Sequence, residues 1–397
     1  MYIVDSIMGS GKTSAAINLV NSLSPQYHVL IVTPYLTETD RFIQSCPLKN
    51  IRQPVERPTK LADIKRKIAR GKNIATTHSL FNDFDIETAK LIAEHNYILI
   101  IDESPTVLSD GYISDDDLKC LIDSGLVEIE GERVLRWLKP RYTGTFKEVK
   151  HACENERLNI AKNNVVIDVY PAKIFNAFRE VYILTFMFEA QILRYYLDYH
   201  EVQFSYLGVE KTSESEYRFV HVDEPDHSPP EGIQINFPAT RKMNEIGKKR
   251  DNLSYHWYHG GKSTAEDIER LQKHCVNFFQ NITNTPVSRN LWTTYKDCKS
   301  GLSGRRYARG FLACNAKATN EYREKTAVAY LINRGFNPNY RAFFANKGIG
   351  VNQEAFALSE MLQFIWRSAV RDGKPIDLYI PSSRMRNLLK NWLEEKK

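Results

Sequence analysis

Tyr2-Ile3-Val4-Asp5-Ser6-Ile7-Met8-Gly9-Ser10-Gly11-Lys12-Thr13-Ser14-Ala15-Ala16-Ile17-Asn18-Leu19-Val20 decides how the rest of this chain is read. Tyr2 to Val4 is a short β-prone run. Two glycines then break the pattern, and the apolar spacing from Ala15 to Val20 is helical, so the stretch reads as strand, glycine-rich turn, helix. Glycines at positions 9 and 11 let backbone N–H groups converge without side chains in the way, and the helix N-terminus beyond them favours negative charge. A triphosphate suits such a turn. Lys12 would reach its β and γ phosphates and the Thr13 hydroxyl would hold magnesium, with Ser6, Met8, Gly9, Ser10 and Gly11 completing the cradle. Ser6 stands where the usual eight-residue pattern has its first glycine.

Working outward, more apolar runs follow. His28-Val29-Leu30-Ile31-Val32-Thr33-Pro34, Asn73-Ile74-Ala75-Thr76-Thr77-His78, Tyr97-Ile98-Leu99-Ile100-Ile101 and Val181-Tyr182-Ile183-Leu184-Thr185-Phe186 read as strands separated by helical stretches. That alternation predicts βαβ units and a parallel sheet. The interval from about 106 to 175 breaks it and is expected to be an insertion. A domain boundary is placed near 191, where the apolar strand has ended, giving domains over 1–191 and 192–397. In the second, Asn290–Tyr295, Gly310–Asn315 and Ile376–Pro381 are predicted strands, with a helix from Ser359 to Val370 between the last two. The expected fold class is α/β, with two nucleotide-binding-type domains built on parallel sheets.

At 397 residues, with 42% hydrophobic and 26% charged residues, the chain has the means to build two cores, and this excludes a disordered class. No apolar run approaches the ~18 residues that cross a bilayer, which points to the cytoplasm. Six scattered cysteines without a CxxC pair exclude a disulfide framework and a thiolate zinc site. His256-x-x-His259 and His151-x-Cys153 have no further ligands at useful spacing. The net charge of +6 is uneven: 17 Lys/Arg against 8 Asp/Glu from Gly301 onward, an excess of +9 that leaves −3 before it. Such asymmetry implies a polyanionic partner or simply a solvated basic surface.

Two further constellations carry chemistry. Asp102-Glu103 closes an apolar strand, where the first carboxylate is suited to magnesium and the second to polarising an attacking water. Gln363, Arg367 and Arg371 fall at i, i+4 and i+8, one helical face with two guanidiniums suited to charge developing on a γ-phosphate, supplied from the second domain. Asn315-Ala316-Lys317-Ala318-Thr319-Asn320 is donor-rich after a predicted strand, so Asn315, Thr319 and Asn320 either hold phosphates of a bound strand or form a plain helix start. Trp137 and Trp366 read either as base-stacking platforms or as core.

In this order the blocks resemble superfamily 2 helicases of the Asp-Glu-box type, particularly the compact forms in phage replication modules. Ser6 to Thr13 looks like motif I and Asp102-Glu103-Ser104-Pro105 like motif II. Thr33-Pro34 is similar to motif Ia and Thr76-Thr77-His78 to motif Ic, which touch the nucleic-acid backbone in that family. Leu184-Thr185-Phe186 resembles motif III, Gly348-Ile349-Gly350-Val351-Asn352 motif V, and Gln363 through Arg371 motif VI, with Arg367 or Arg371 as arginine finger. The resemblance implies two RecA-like P-loop domains. Its cofactors would be ATP and Mg2+, and its partners single-stranded or forked DNA and other replication proteins. The residues alone also allow a phosphotransferase of the nucleoside-kinase kind or a non-enzymatic nucleic-acid-binding module.

Overall fold

The apolar runs of the first half lie side by side in one seven-stranded sheet. In the computed structural model its strands are β1 (Tyr2–Asp5), β2 (His28–Thr33), β3 (Ile74–Thr77), β4 (Tyr97–Asp102), β10 (Glu180–Thr185), β11 (Ser205–Lys211) and β12 (Tyr217–His221). The order is β12-β11-β1-β10-β4-β2-β3 and every pairing is parallel except β11 with β12. Residues 1–131, 133–213, 216–314 and 321–395 are described by the structure. Helices α1 (Lys12–Ser22), α2 (Leu36–Ser45) and α3 (Lys60–Ile68) follow β1 and β2. Val4, Ala16, Val20, Val29, Ile31, Phe42 and Ile100 form one fully or nearly fully buried core beneath them. A parallel sheet aims all its C-terminal strand ends one way, so the glycine-rich turn, Thr33, Thr77 and Asp102 share one edge.

The expected insertion is a separate five-stranded antiparallel sheet. Its strands are β5 (Leu108–Asp110), β6 (Val127–Glu130), β7 (Val134–Trp137), β8 (Leu158–Ile160) and β9 (Val166–Val169), ordered β5-β9-β8-β7-β6. It buries Leu121, Val127, Leu135, Trp137 and Leu158 in a small core of its own. Trp137 is therefore core, and its indole N–H donates to the Lys139 carbonyl at 2.8 Å.

The division of the chain departs from the sequence expectation. The first compact unit runs to Pro225 and takes back Asn337–Val351, and the second holds Asp226–Phe336 and Asn352–Lys397. The boundary near 191 fails because the alternating segment after it, Ser205 to His221, pairs as β11 and β12 onto β1. The later segment returns because the helix Pro338–Phe344 carries Phe343, buried and stacked on Tyr199 at 4.3 Å, and Phe344 against Tyr195 at 5.7 Å. Gly348 to Val351 of the motif V-like segment thus lies in the first unit, while Asn352 caps a helix of the second by accepting the Ala355 amide at 3.0 Å.

The second unit holds an all-parallel sheet ordered β13 (Ile235–Asn236), β16 (Ile376–Tyr379), β15 (Ala327–Tyr330), β14 (Asn290–Thr293). Over Gly310–Cys314, the described part of the strand expected next, no strand forms. Phe311 makes one isolated bridge with Trp292, and a Cβ at Gly310 would lie 2.2 Å from the Asn290 carbonyl oxygen. The partner of β14 in the sheet is instead Ala327-Val328-Ala329-Tyr330, a fully buried apolar run. The helix expected to reach Val370 stops at Ile365. There the Ser368 hydroxyl donates to the Ile365 carbonyl at 2.6 Å and the Ala369 amide turns away to Lys325 O at 2.9 Å. Trp366 is buried against Trp392, which makes it core as well. Among the described residues no helix is long and apolar enough to cross a membrane.

Candidate nucleotide-binding site

Between β1 and α1 the turn adopts the backbone its glycines allow. Gly9 and Gly11 have φ of 91° and 95°, the left-handed region that an L side chain resists by roughly 1–2 kcal/mol. Gly11 caps α1, so the amides of Lys12, Thr13 and Ser14 belong to the first turn, which has no acceptor within the helix. The Lys12 ammonium donates to Ser6 O and, at 2.9 Å, to Ile7 O, folding back over the loop. The Thr13 hydroxyl donates to Asp102 Oδ2 at 3.3 Å.

Asp102 ends β4 and the next residue, Glu103, has φ of +65° while its amide holds Leu184 O at 2.9 Å. A non-glycine residue held at positive φ stores strain that the neighbouring sheet must overrule, a feature that clusters at functional sites. Burial pushes the Asp102 carboxyl up to about 7, helped by the negative charge of Glu103 and then Glu38, against the opposing pull of Lys12 and the Thr13 hydrogen bond. A pocket with this surplus of negative charge suits a divalent cation. Thr13 and Asp102 are the residues that would hold magnesium, and the loop amides and Lys12 would hold the phosphates, so the donor set fits ATP and Mg2+.

One strand ties both elements together. β10 lies between β1 and β4, and its last residue, Thr185, accepts the Ser6 amide on its carbonyl at 3.2 Å. Its hydroxyl donates to Gln191 Oε1 at 2.9 Å and lies 3.1 Å from the Ser104 hydroxyl, which also bonds Gln191. The Gln191 amide returns to Phe186 O at 2.6 Å. Sequence reading missed Gln191, since a polar residue six positions beyond a strand carries no periodic signal. It also missed Tyr217, whose ring lies over the loop so closely that a Cβ on Gly11 would sit 2.4 Å from Cδ1. Asn18 holds that residue by donating to Tyr217 O at 3.0 Å.

The other expected residues are placed as follows. His78 Nε2 lies 2.8 Å from the Asp102 carbonyl, on the loop's edge of the sheet, and the ring is buried. Thr33 is buried, its hydroxyl donating to Tyr35 O at 2.9 Å, while Pro34 and Thr77 are half-buried beside it. In the second unit, Gln363 donates to Ser359 Oγ at 3.1 Å within its helix. Arg367 is buried past the helix end and Arg371 lies half-buried in the 3-10 turn Ala369–Asp372, so the three do not form one continuous helical face. Asn315, Thr319 and Asn320 lie outside the described residues. His259 does find neighbours, Asp297 at 2.8 Å and Cys298 at 3.7 Å, but the thiol is pushed up to about 11 by burial and Asp297, so it keeps its proton.

The sequence is 38% identical to the SPbeta prophage-derived uncharacterized protein YonV of Bacillus subtilis (strain 168), across 100% of this chain and 99% of that protein. The chain belongs to the YonV family. The YonV middle domain matches residues 108–167, the five-stranded insertion, and the YonV C-terminal Rossmann-like domain matches 232–393, which spans the second parallel sheet. Among solved structures, an XPD helicase is similar with a TM-score of 0.47 and 12% identity, covering 100% of this chain and 96% of its own. The apo form of XPD gives 0.44 and 12%, over 98% and 95%. At such identities these likenesses say nothing of the activity of a YonV-family chain.

Proposed function

We propose that this chain is an ATP-hydrolysing motor of the helicase type that moves on nucleic acid, with DNA as its track and phage replication or recombination as its setting. The observation that carries the reading is the joint placement of Lys12 and Thr13 with Asp102 and Glu103 on one sheet edge, with Thr13 Oγ1 3.3 Å from Asp102 Oδ2. The loop amides and Lys12 bind the phosphates. Magnesium, when bound, neutralises charge on the β and γ phosphates. Glu103, the residue that follows the end of β4, orients and deprotonates the attacking water. Gln363, Arg367 and Arg371 are assigned to turnover by family resemblance. Thr33, Pro34, Thr77 and His78 are assigned to the nucleic-acid track on the same ground, as are Asn315, Thr319 and Asn320 on their donor chemistry.

A water-activating carboxylate separates from a merely structural one by its kinetics. Glu103→Gln keeps shape and removes the base, so nucleotide affinity should hold while turnover falls about 10²- to 10⁴-fold. Filter-bound ATP and single-turnover hydrolysis measure the two quantities. Unchanged turnover in this variant sinks the assignment of Glu103.

A further inference from the structure

The chain's most concentrated positive charge lies away from both the nucleotide loop and the basic C-terminal quarter. From Lys49 to Lys72 there are nine Lys/Arg and two Asp/Glu, a local excess of +7 that leaves −10 for the rest of the chain once the +9 from Gly301 onward is set aside. The fold gathers six of these cations, Arg52, Arg57, Arg66, Lys67, Arg70 and Lys72, around one cleft of about 440 Å³. The Arg52 amide donates to Asn73 O at 2.9 Å and its carbonyl accepts Ala75 N at 3.0 Å, which fixes it beside the first residues of β3. Lys72 precedes that strand, and α3 with the turn after it brings Arg66, Lys67 and Arg70.

Part of this charge has an internal explanation. Buried Asp63 accepts Arg66 Nη2 at 3.0 Å, Lys67 Nζ and the Val55 amide at 2.9 Å, and cations near the end of α3 also suit its dipole. Arg52, Arg57, Arg70 and Lys72 are different: all four are exposed and none makes an ion pair among the described residues. Four like charges in a concavity repel one another, so the arrangement destabilises the fold unless something negative enters. Arginine prevails among them, which favours phosphate through its planar fork of donors. The cleft sits where β3 begins, whereas the phosphate loop sits where β1 ends, and parallel strands put these at opposite edges of the sheet.

We propose that this cleft is a second nucleic-acid contact, holding the phosphodiester backbone of a strand on the edge of the first sheet remote from the nucleotide loop. Engaging four separated cations takes a run of phosphates, which a single phosphate group does not supply. The proposal rests on the preceding section only for the identity of the polyanion, and its binding measurement contains no ATP, so it can fail while ATP turnover stands.

The experiment is fluorescence anisotropy of a thymidine oligonucleotide of about 30 nucleotides, titrated with the full chain in EDTA over a series of salt concentrations. Wild type is compared with Arg52→Ala/Arg70→Ala/Lys72→Ala and, in case the triple variant folds poorly by circular dichroism, with Arg70→Glu alone. The triple variant should bind at least about tenfold more weakly near 0.1 M salt, with a log–log salt slope flatter by about 2, at roughly 0.7 per lost phosphate contact. Arg70→Glu should weaken binding in the same direction. Basal ATP turnover should match wild type in both. Equal affinity and equal slope in folded variants overturn the proposal. So does a loss confined to anionic phosphatidylserine vesicles or to inorganic phosphate with oligonucleotide binding intact.

Discussion

At the scale of single residues, the proposed chemistry rests on two neighbouring carboxylates, and burial shifts Asp102. Folding raises Asp102 from its ordinary value near 4 to about 7, so between those values the folded chain keeps a proton the unfolded chain has lost. Stability from this group therefore declines as pH rises through that window and is recovered on acidification. Thermal melts in EDTA from about pH 5 to about pH 7.5 should show that slope in wild type and a flatter one in Asp102→Asn; parallel profiles would mean the carboxylate is solvated. The loop glycines, Lys12, Thr13, Asp102 and Glu103 were legible in sequence because their types and their neighbours along the chain announce them. Glu38, Gln191 and Tyr217 were not, because they reach the loop only through the fold and carry no local pattern.

At the scale of elements, strands were read well wherever an apolar run was bounded by turn residues, as in β1, β2, β4 and β10. Reading failed where competition between partners decided. Ala327–Tyr330 pairs along the whole of β14, whereas Gly310–Cys314 keeps a single bridge to it at Phe311, and the helix bearing Gln363 ended early because Ala369 found the Lys325 carbonyl. The element that joins the two halves of the candidate site is the end of β10, where the Thr185 carbonyl holds the phosphate loop and its hydroxyl reaches the segment after Glu103. Thr185→Val keeps the shape and removes that hydroxyl, leaving Ser104 and Gln191 to each other. A net hydrogen bond is worth about 0.5–1.5 kcal/mol, so melting should fall by a few degrees. ATP affinity should hold while DNA-stimulated turnover drops by about tenfold, each bond's worth of energy setting the scale. If stimulated turnover is unaffected, the hydroxyl network is structural only.

At the scale of the whole molecule, the α/β class and the insertion were visible in the alternation of strands and helices and in its interruption. The division into units was not, because Asn337–Val351 leaves the first unit in sequence and returns to it in space on the aromatic contacts of Phe343 and Phe344. Phe343→Ala empties a fully buried site and should cost the first unit about 3–5 kcal/mol, read as a lowered urea midpoint; an unmoved midpoint would contradict that packing. Net charge also misled at this scale, since the basic stretch Lys49–Lys72 is cancelled by acidic residues elsewhere in the first 300. The account as a whole depends on the phosphate loop being an engine. ATP turnover with and without single-stranded DNA, in wild type and in Lys12→Ala, tests this most directly. The account predicts DNA-stimulated turnover that the variant loses by at least about 100-fold, the scale at which removing one stabiliser of transition-state charge is felt. Stimulated turnover that survives without the Lys12 ammonium would contradict it.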